Sequence, residues 1–494
     1  MTDEHKSLNQ IIEFRKEKLT KLKENGVNPY PVSYQVSHSA VDIIDQFDKF
    51  NDKTVRVAGR IMSLRKMGKA AFCHIQDQTT RLQIYVKRDD LGQDEYQNFK
   101  LLDIGDFIGV KGYVFKTKTG EISVHAQKVT ILSKSIRPIP IVKEKEGEVY
   151  DAFGDKEQRY RNRHIDLIVN PDVRQVFIQR AKIISEARTY LEKHGYIEVE
   201  TPVLQPLYGG ANARPFVTHH NTLEQDLYLR IAVELYLKRL IIGGFDKVYE
   251  LSKIFRNEGM DWNHNPEFTM LEFYQAYVDY EFMMDFVEDL IRSIAEKFGG
   301  LKRTWCGKKI DLKKPFMRKP ILELVKEHTG HDVSAADLTE FKKIYKSLDL
   351  ELPDETQYGI LLDDLMSQAV EPNLIQPVFV IDYPKAVSPL AKPHRSGDAN
   401  IVERFELFIG GMEFANAFSE LNDPIDQRKR FEDQMQLRIQ GDEEAHPLDE
   451  NFLEAVESGM PPTGGVGIGI DRLVMLLTET NSIKDVILFP AMRT

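Results

Sequence analysis

Phe255-Arg256-Asn257-Glu258-Gly259, then after a polar loop His264-Asn265-Pro266-Glu267-Phe268-Thr269-Met270-Leu271-Glu272-Phe273-Tyr274, is the stretch on which the reading of this chain turns. It reads as a strand (Val248–Asn257), a loop (Glu258–Pro266) and a second strand (Glu267–Ala276). Strand side chains alternate faces, so Phe268, Met270, Glu272 and Tyr274 share one side. A ring, a carboxylate and a phenol together make poor core material. Arg256 closes the first strand, with Glu258 and His264 in the loop. A guanidinium suits forked binding of phosphate or carboxylate, and a phenyl ring stacks on a purine. A surface hairpin with routine charge pairs fits the same residues, and this segment alone leaves both readings open.

Two later segments add to it. In Glu406–Asn422 a strand reading puts Phe414, Asn416, Phe418 and Glu420 on one face, with Glu406 and Glu413 before them. Buried carboxylates are costly unless paired or metal-bound, so such a group suits Mg²⁺ or an ammonium; solvated surface acids are the alternative. Glu413 has the opposite parity to Asn416, so both can face one site only if the strand bulges or turns between them. The third segment is Gly464-Gly465-Val466-Gly467-Ile468-Gly469-Ile470-Asp471-Arg472, followed by the apolar run Leu473–Leu477. Its glycines permit close backbone approach, and Arg472 falls at a helix start, where the dipole favours anions. The spacing is not that of a dinucleotide-binding turn, and the chain has no phosphate-binding loop of the Walker type.

Outward from these segments the chain falls into parts. Residues 1–53 form an N-terminal extension with a helix over 7–25, capped by Ser7 with Gln10 and stopped at Gly26. Its basic run Phe14–Lys23 reads as a solvated face or as a contact for RNA phosphates. Residues 54–140 carry short β-rich runs at Thr54–Ile61, Ala71–Gln76, Arg81–Val86, Phe107–Lys116 and Glu121–Leu132, with a helical stretch Asp94–Leu102. That order predicts a small oligonucleotide-binding (OB) barrel. Residues 141–170 are a Pro- and charge-rich linker. A long helix, Asp172–His194, follows, with Phe177, Ala181, Ile184, Arg188 and Leu191 at helical spacing. From 171 to 494 long helices mix with alternating strands in one α+β domain, and about 282–375 reads as a helical insertion. The fold class is therefore α+β, a barrel followed by a larger mixed domain.

The bulk properties exclude several classes. The 494 residues carry a net charge of −11, which argues against a globally basic nucleic-acid binder but not against local basic patches. No apolar run approaches the ~18 residues that span a bilayer. The start, Met1-Thr2-Asp3-Glu4, lacks a secretory core, so a cytoplasmic location and no membrane partner are expected. The cysteines, Cys73 and Cys306, form neither a disulfide framework nor a zinc spacing.

Taken in order, the segments resemble the three motifs of class II aminoacyl-tRNA synthetases: the helix ending in Tyr196-Ile197-Glu198-Val199-Glu200-Thr201-Pro202, the hairpin around Arg256, and the glycine strand ending in Asp471-Arg472. With the barrel they are similar to the subgroup charging aspartate, asparagine and lysine. The strings Leu229–Tyr236, Phe268–Tyr274 and Asn416–Asp423 resemble bacterial-type lysine enzymes most. The resemblance implies a class II catalytic domain, an antiparallel sheet flanked by helices. It implies ATP and L-lysine as substrates, tRNA(Lys) as acceptor, Mg²⁺ as cofactor and a homodimer. It implies that Arg256 and Arg472 are catalytic and bind ATP with Glu258, His264, Asn265, Phe268 and Glu406. Glu406 and Glu413 would carry the metal. Glu234 would hold the lysine α-amino group; Glu272, Tyr274 and Glu420 the side-chain ammonium; Asn416 and Arg256 would orient the carboxylate, and Phe418 and Gly210 would also bind lysine. In the barrel Arg65, Phe72, Gln83 and Glu121 would read the anticodon. The physics agrees, since a cationic substrate needs acids at the pocket's end where an aspartate pocket needs arginine or lysine. The competing readings are an aspartate or asparagine enzyme, a relative that lysylates protein, and a non-catalytic RNA-binding protein on a synthetase core.

Overall fold

The computed structural model describes residues 7–140, 143–145, 148–150, 153–354, 356–439 and 446–493. Residues 1–6 and parts of the expected linker 141–170 lie outside the described residues. The chain forms two compact units, Met1–Gly154 and Asp155–Thr494.

The first unit opens with α1 (Leu8–Glu24), whose Ser7–Gln10 capping box is in place. Strands β1 (Thr54–Met67), β2 (Ala70–Gln76), β3 (Arg81–Lys87), β4 (Phe107–Lys116) and β5 (Ile122–Ser133) close into a barrel in the order β1-β2-β3-β5-β4. The alternation of Val55 and Val57, and of Leu82, Ile84 and Val86, sends these side chains into one core. A helix, Gln93–Lys100, covers the connection from β3 to β4. Helix α1 is more than a solvated face. Its Arg15 is buried and donates to the Ile104 and Ser135 carbonyls at 3.0 and 3.1 Å. Its Lys18 meets Asp103 at 2.5 Å. Asp103 and the fully buried Asp106 share the Lys134 ammonium. Burying charge demands such pairing, and here the pairing fastens α1 to the barrel.

In the second unit the elements that position the site are α2 (Pro171–Lys193), β6 (Ile197–Glu198), α3 (Glu234–Ile242), β7 (Lys247–Phe255), β8 (Glu267–Ala276), α4 (Tyr280–Lys297), β9 (Met317–Pro320), β10 (Val378–Ile381), β11 (Arg404–Ile409), β12 (Met412–Ser419), β13 (Thr463–Gly469) and α5 (Ile470–Thr478). The strands make one eight-stranded sheet, β9-β10-β11-β12-β13-β8-β7-β6. It is antiparallel except at its two ends. Leu271 and Phe273 of β8, Ala415 and Ala417 of β12 and Val466 and Ile468 of β13 pack with α2, α4 and α5 into the main core. The opposite face of the sheet carries the site.

Two expectations change here. The α2 stripe is rotated: Ile183, Ala187, Tyr190 and Leu191 are buried while Ala181 is exposed. The rotation follows the helix's polar anchors, Tyr190 on Asp289 at 2.6 Å and Arg180 on Asp471 at 2.6 Å. The stretch 282–375 is not purely helical. It contains a two-strand hairpin, Lys302–Trp305 with Lys308–Asp311, and β9, which joins the main sheet beside β10. These strands are only four residues long, too short to show a period.

Candidate active site

Strand β13 lies between β12 and β8, and its site-facing residues are glycines. Gly465 sits across from Tyr274 and Phe418, and Gly467 across from Glu272 and Asn416. A strand without side chains between two that carry them leaves a trough. The result is a cavity of about 400 Å³, within the range of small-molecule sites. Every residue singled out from the larger domain lines it: Gly210, Glu234, Arg256, Glu258, His264, Asn265, Phe268, Glu272, Tyr274, Glu406, Glu413, Asn416, Phe418, Glu420 and Arg472.

The parity of Glu413 is resolved by a bulge. In the β11–β12 ladder Phe408 pairs with Glu413 and Leu407 with Ala415, so Phe414 is the extra residue. Glu413 thereby joins the face of Asn416. Phe414, expected on that face, is buried edge-on against Trp305 at 5.7 Å between ring centroids.

One end of the cavity is acidic. Glu234, Glu272 and Glu420 are all buried. Burial, with Glu234 nearby, pushes the Glu272 carboxyl up to about 8. Burial likewise lifts Glu420 to about 8, against the pull of Lys238. The Tyr274 hydroxyl donates to Glu272 at 3.3 Å, and the Val233 N–H reaches Glu272 at 3.4 Å. Neither Glu420 oxygen has a protein hydrogen bond of good geometry. Its one charged partner is the Lys238 ammonium, 2.5 Å from Oε2, and the carboxyl also lines the cavity.

The other end holds guanidinium groups and a ring. Arg256 lies over Phe268, 5.3 Å from its centroid, and its buried Nε has no acceptor. Among the described residues Arg256 makes no ion pair, so a free guanidinium points to an anion. Arg472 donates to the Glu413 carbonyl at 2.5 Å and stands 3.4 Å from His264 Nε2. Its neighbour Asp471 accepts from the Thr269 N–H at 2.6 Å and from Arg180, which fixes α5 to β8 and α2. Asn265 lines the cavity, but its side chain is engaged by backbone: it donates to the Glu267 carbonyl at 2.6 Å and accepts from the Ala491 N–H at 3.1 Å.

Between the two ends, Glu406 accepts from Tyr383 at 2.9 Å, from Asn416 at 3.0 Å and from Arg404. Burial, opposed by Arg404 and reinforced by Glu413 and Asp363, lifts it to about 7. Glu371 is lifted to about 8 by burial and by Glu406 and Glu413. This crowd of like charge suits a hard cation. Among the described residues no three acids or histidines converge as a complete metal cage. Two carboxylates facing a phosphate chain are the usual holding for Mg²⁺, which takes its other ligands from phosphate and water.

On the barrel, Arg65 pairs across the ladder with Phe72, Phe72 with Tyr85, and His74 with Gln83. The Phe72 and Tyr85 rings are 4.8 Å apart, and His125, Tyr113 and Phe115 continue the half-buried aromatic patch. Gln83 donates to Glu121 and accepts from Ser123 Oγ at 2.8 Å, and His74 meets Glu121 at 2.7 Å. The four expected residues share one barrel face, with Gln83 and Glu121 already bonded to each other.

Sequence reasoning missed Lys238, Arg404, Asp471, Tyr383 and the histidines and tyrosines of the barrel patch. Lys238 had a signal, since it lies four residues after Glu234 on a helix. Arg404 likewise shares a strand face with Glu406.

The pattern of tRNA synthetases class II (D, K and N) matches residues 155–493, and that of the OB-fold nucleic acid binding domain matches residues 55–132. The chain belongs to the class II tRNA synthetases. Within them its relatives are lysine–tRNA ligases. The Lysine–tRNA ligase of Carboxydothermus hydrogenoformans is 52% identical over 99% of this chain and 99% of its own. That of Pelotomaculum thermopropionicum is 53% identical over 98% and 95%. That of Porphyromonas gingivalis is 51% identical over 97% and 85%.

The glycines of β13 supply a test. A Cβ on Gly465 would fall onto Glu420 Oε1 and the Tyr274 ring, whereas one on Gly467 would meet Met270 Sδ at an ordinary 3.4 Å. Gly465→Ala is expected to cut amino-acid-dependent pyrophosphate–ATP exchange by ~100-fold or more, and Gly467→Ala by far less. Equal effects would contradict this geometry.

Proposed function

We propose that this enzyme activates L-lysine with ATP to lysyl-adenylate and transfers it to the 3′ end of tRNA(Lys). The observation that carries the choice of lysine is the buried group Glu234, Glu272 and Glu420, with Glu420 open on the cavity side. An aspartate or asparagine side chain gains nothing from three acids.

Glu234 and Gly210 receive the α-ammonium group, and Glu272, Tyr274 and Glu420 the side-chain ammonium, with Phe418 along the methylenes. Arg256 and Asn416 orient the carboxylate. Phe268 stacks on adenine; Glu258, His264 and Asn265 border the nucleotide; Arg472 meets the phosphates. Glu406 and Glu413 fit Mg²⁺, which when bound would neutralise charge on the phosphate oxygens. The substrate carboxylate attacks the α-phosphorus in line, forming a carboxylate–phosphate bond as the bond to the leaving pyrophosphate breaks. Arg256 stabilises the charge that develops. The terminal ribose hydroxyl of tRNA then attacks the adenylate carbonyl and AMP leaves. Both steps rest on positioning and fixed charge, and no protein nucleophile takes part.

The barrel patch around Phe72 supports anticodon reading, because unpaired bases stack on aromatic rings while polar neighbours contact their edges. Arg65, Gln83 and Glu121 supply those polar groups. A homodimer fits the exposed Ile197, Val203 and Leu204 beside the first motif, and a cytoplasmic location belongs to the same reading. No helix among the described residues is long and apolar enough to cross a membrane.

Exchange of pyrophosphate into ATP, measured with each of the twenty amino acids, is expected with lysine alone. Exchange with aspartate or asparagine would overturn the pocket assignment, and none with any amino acid would favour a non-catalytic core. Phe72→Ala is expected to leave this exchange intact while lowering tRNA charging by about tenfold or more; an equal loss in both would remove the barrel from tRNA recognition.

Lysine affinity should depend on pH with a definite sign. Glu272 and Glu420, raised to about 8, are largely neutral at lower pH and must ionise to hold an ammonium. The dissociation constant for lysine therefore falls as pH rises toward 8, by up to about tenfold per unit for each proton displaced. Calorimetric titration in buffers of different ionisation enthalpy would also show proton release. A flat profile with no proton release would contradict the assignment.

A further inference from the structure

Lys238 is fully buried one turn along α3 from Glu234, and it does not line the cavity. Its Nζ stands 2.5 Å from Glu234 Oε1 and 2.5 Å from Glu420 Oε2. On its apolar side the Phe452 ring lies 5.9 Å from the ammonium. Burial opposes this charge, but Glu234 and Glu420 outweigh it and hold the lysine pKa above its ordinary value. An ammonium is kept in such surroundings only through its partners.

The two partners come from different elements. Glu234 opens α3, and Glu420 follows β12. Both reach the cavity from their other side, and Lys238 touches both from behind. Remove it, and Glu234, Glu272 and Glu420 face one another with no buried cation among them, so the carboxyl groups hold their protons more firmly still and a bound cation must displace them.

Building on the lysine-activation reading above, we propose that Lys238 is the specificity-determining positioning residue of the amino-acid pocket. It is an internal cation that ties the acid receiving the α-ammonium to the acid receiving the side-chain ammonium. The tie fixes the distance between the two subsites. It therefore sets the length of diamino acid that spans them, favouring four side-chain methylenes over the three of ornithine. Packing alone does not account for the residue, because a methionine fills the same space without requiring two buried acids to converge on it.

The experiment compares wild type with Lys238→Met, which keeps length and loses charge, and Lys238→Arg, which keeps charge and changes reach. The readouts are pyrophosphate–ATP exchange with lysine and with ornithine, KM for ATP, and thermal melting to confirm folding. For Lys238→Met the KM for lysine is expected to rise about tenfold or more with KM for ATP little changed. The kcat/KM preference for lysine over ornithine is expected to fall about fivefold or more, within the range one methylene commands. Lys238→Arg is expected to shift that preference as well, and it decides the matter if the methionine variant does not fold. Folded variants with wild-type lysine KM and unchanged preference would overturn the proposal. So would a rise in KM shared equally by lysine and ATP with the preference intact. Failure of the wild type itself to activate lysine would instead overturn the function on which this inference rests.

Discussion

Carboxylates buried without enough cations are the constraint around which the larger unit is organised. Glu234, Glu272 and Glu420 are buried together, and among the described residues Lys238 is the one ammonium paired with Glu234 and Glu420. Such a group is costly to fold, and two of the three respond by holding protons up to about 8. The cost is offset elsewhere by the continuous core that α2, α4 and α5 form on the other face of the sheet. On the proposed reading, a ligand with two ammonium groups supplies the cations these acids need.

The cavity exists because of what β13 omits. Its alternation puts Val466 and Ile468 into the core and Gly465 and Gly467 toward the site. The period that ordinarily places side chains on both faces here places them on one. Acids on β8 and at the end of β12 can then converge across an empty strand. The strand runs directly into α5, so the same segment that opens the trough also delivers Arg472 to its other end. Asp471, bonded to β8 and α2, keeps that helix start in register.

Much of this was legible from residue order. The hairpin around Arg256 has its expected strands, with Phe268, Met270, Glu272 and Tyr274 on the cavity side. The barrel follows from five alternating runs with turn residues between them. What stayed hidden depends on register and tertiary contact. A single bulge at Phe414 decides where Glu413 points, and no local signal marks it. The rotation of α2 is set by Asp289 and Asp471, distant in sequence. Lys238 has only its spacing from Glu234 to mark it in the sequence, because its second partner, Glu420, is brought to it by the fold. The barrel's aromatic patch gathers β2, β3, β4 and β5, and of its members only Phe72 is marked, by the family resemblance and not by any local pattern.

On the proposed reading, the side-chain ammonium is what the buried acids select, and the spacing of the acids only sets its reach. Calorimetric titration of the enzyme with lysine and with norleucine, which keeps lysine's four side-chain carbons and carries hydrogen where lysine has its ammonium, tests this. The account predicts that lysine binds and that norleucine binds at least about a hundredfold more weakly, because the acids would be left buried and unpaired. Comparable affinity for the two would show that Glu272 and Glu420 do not hold the ammonium, and would contradict the account.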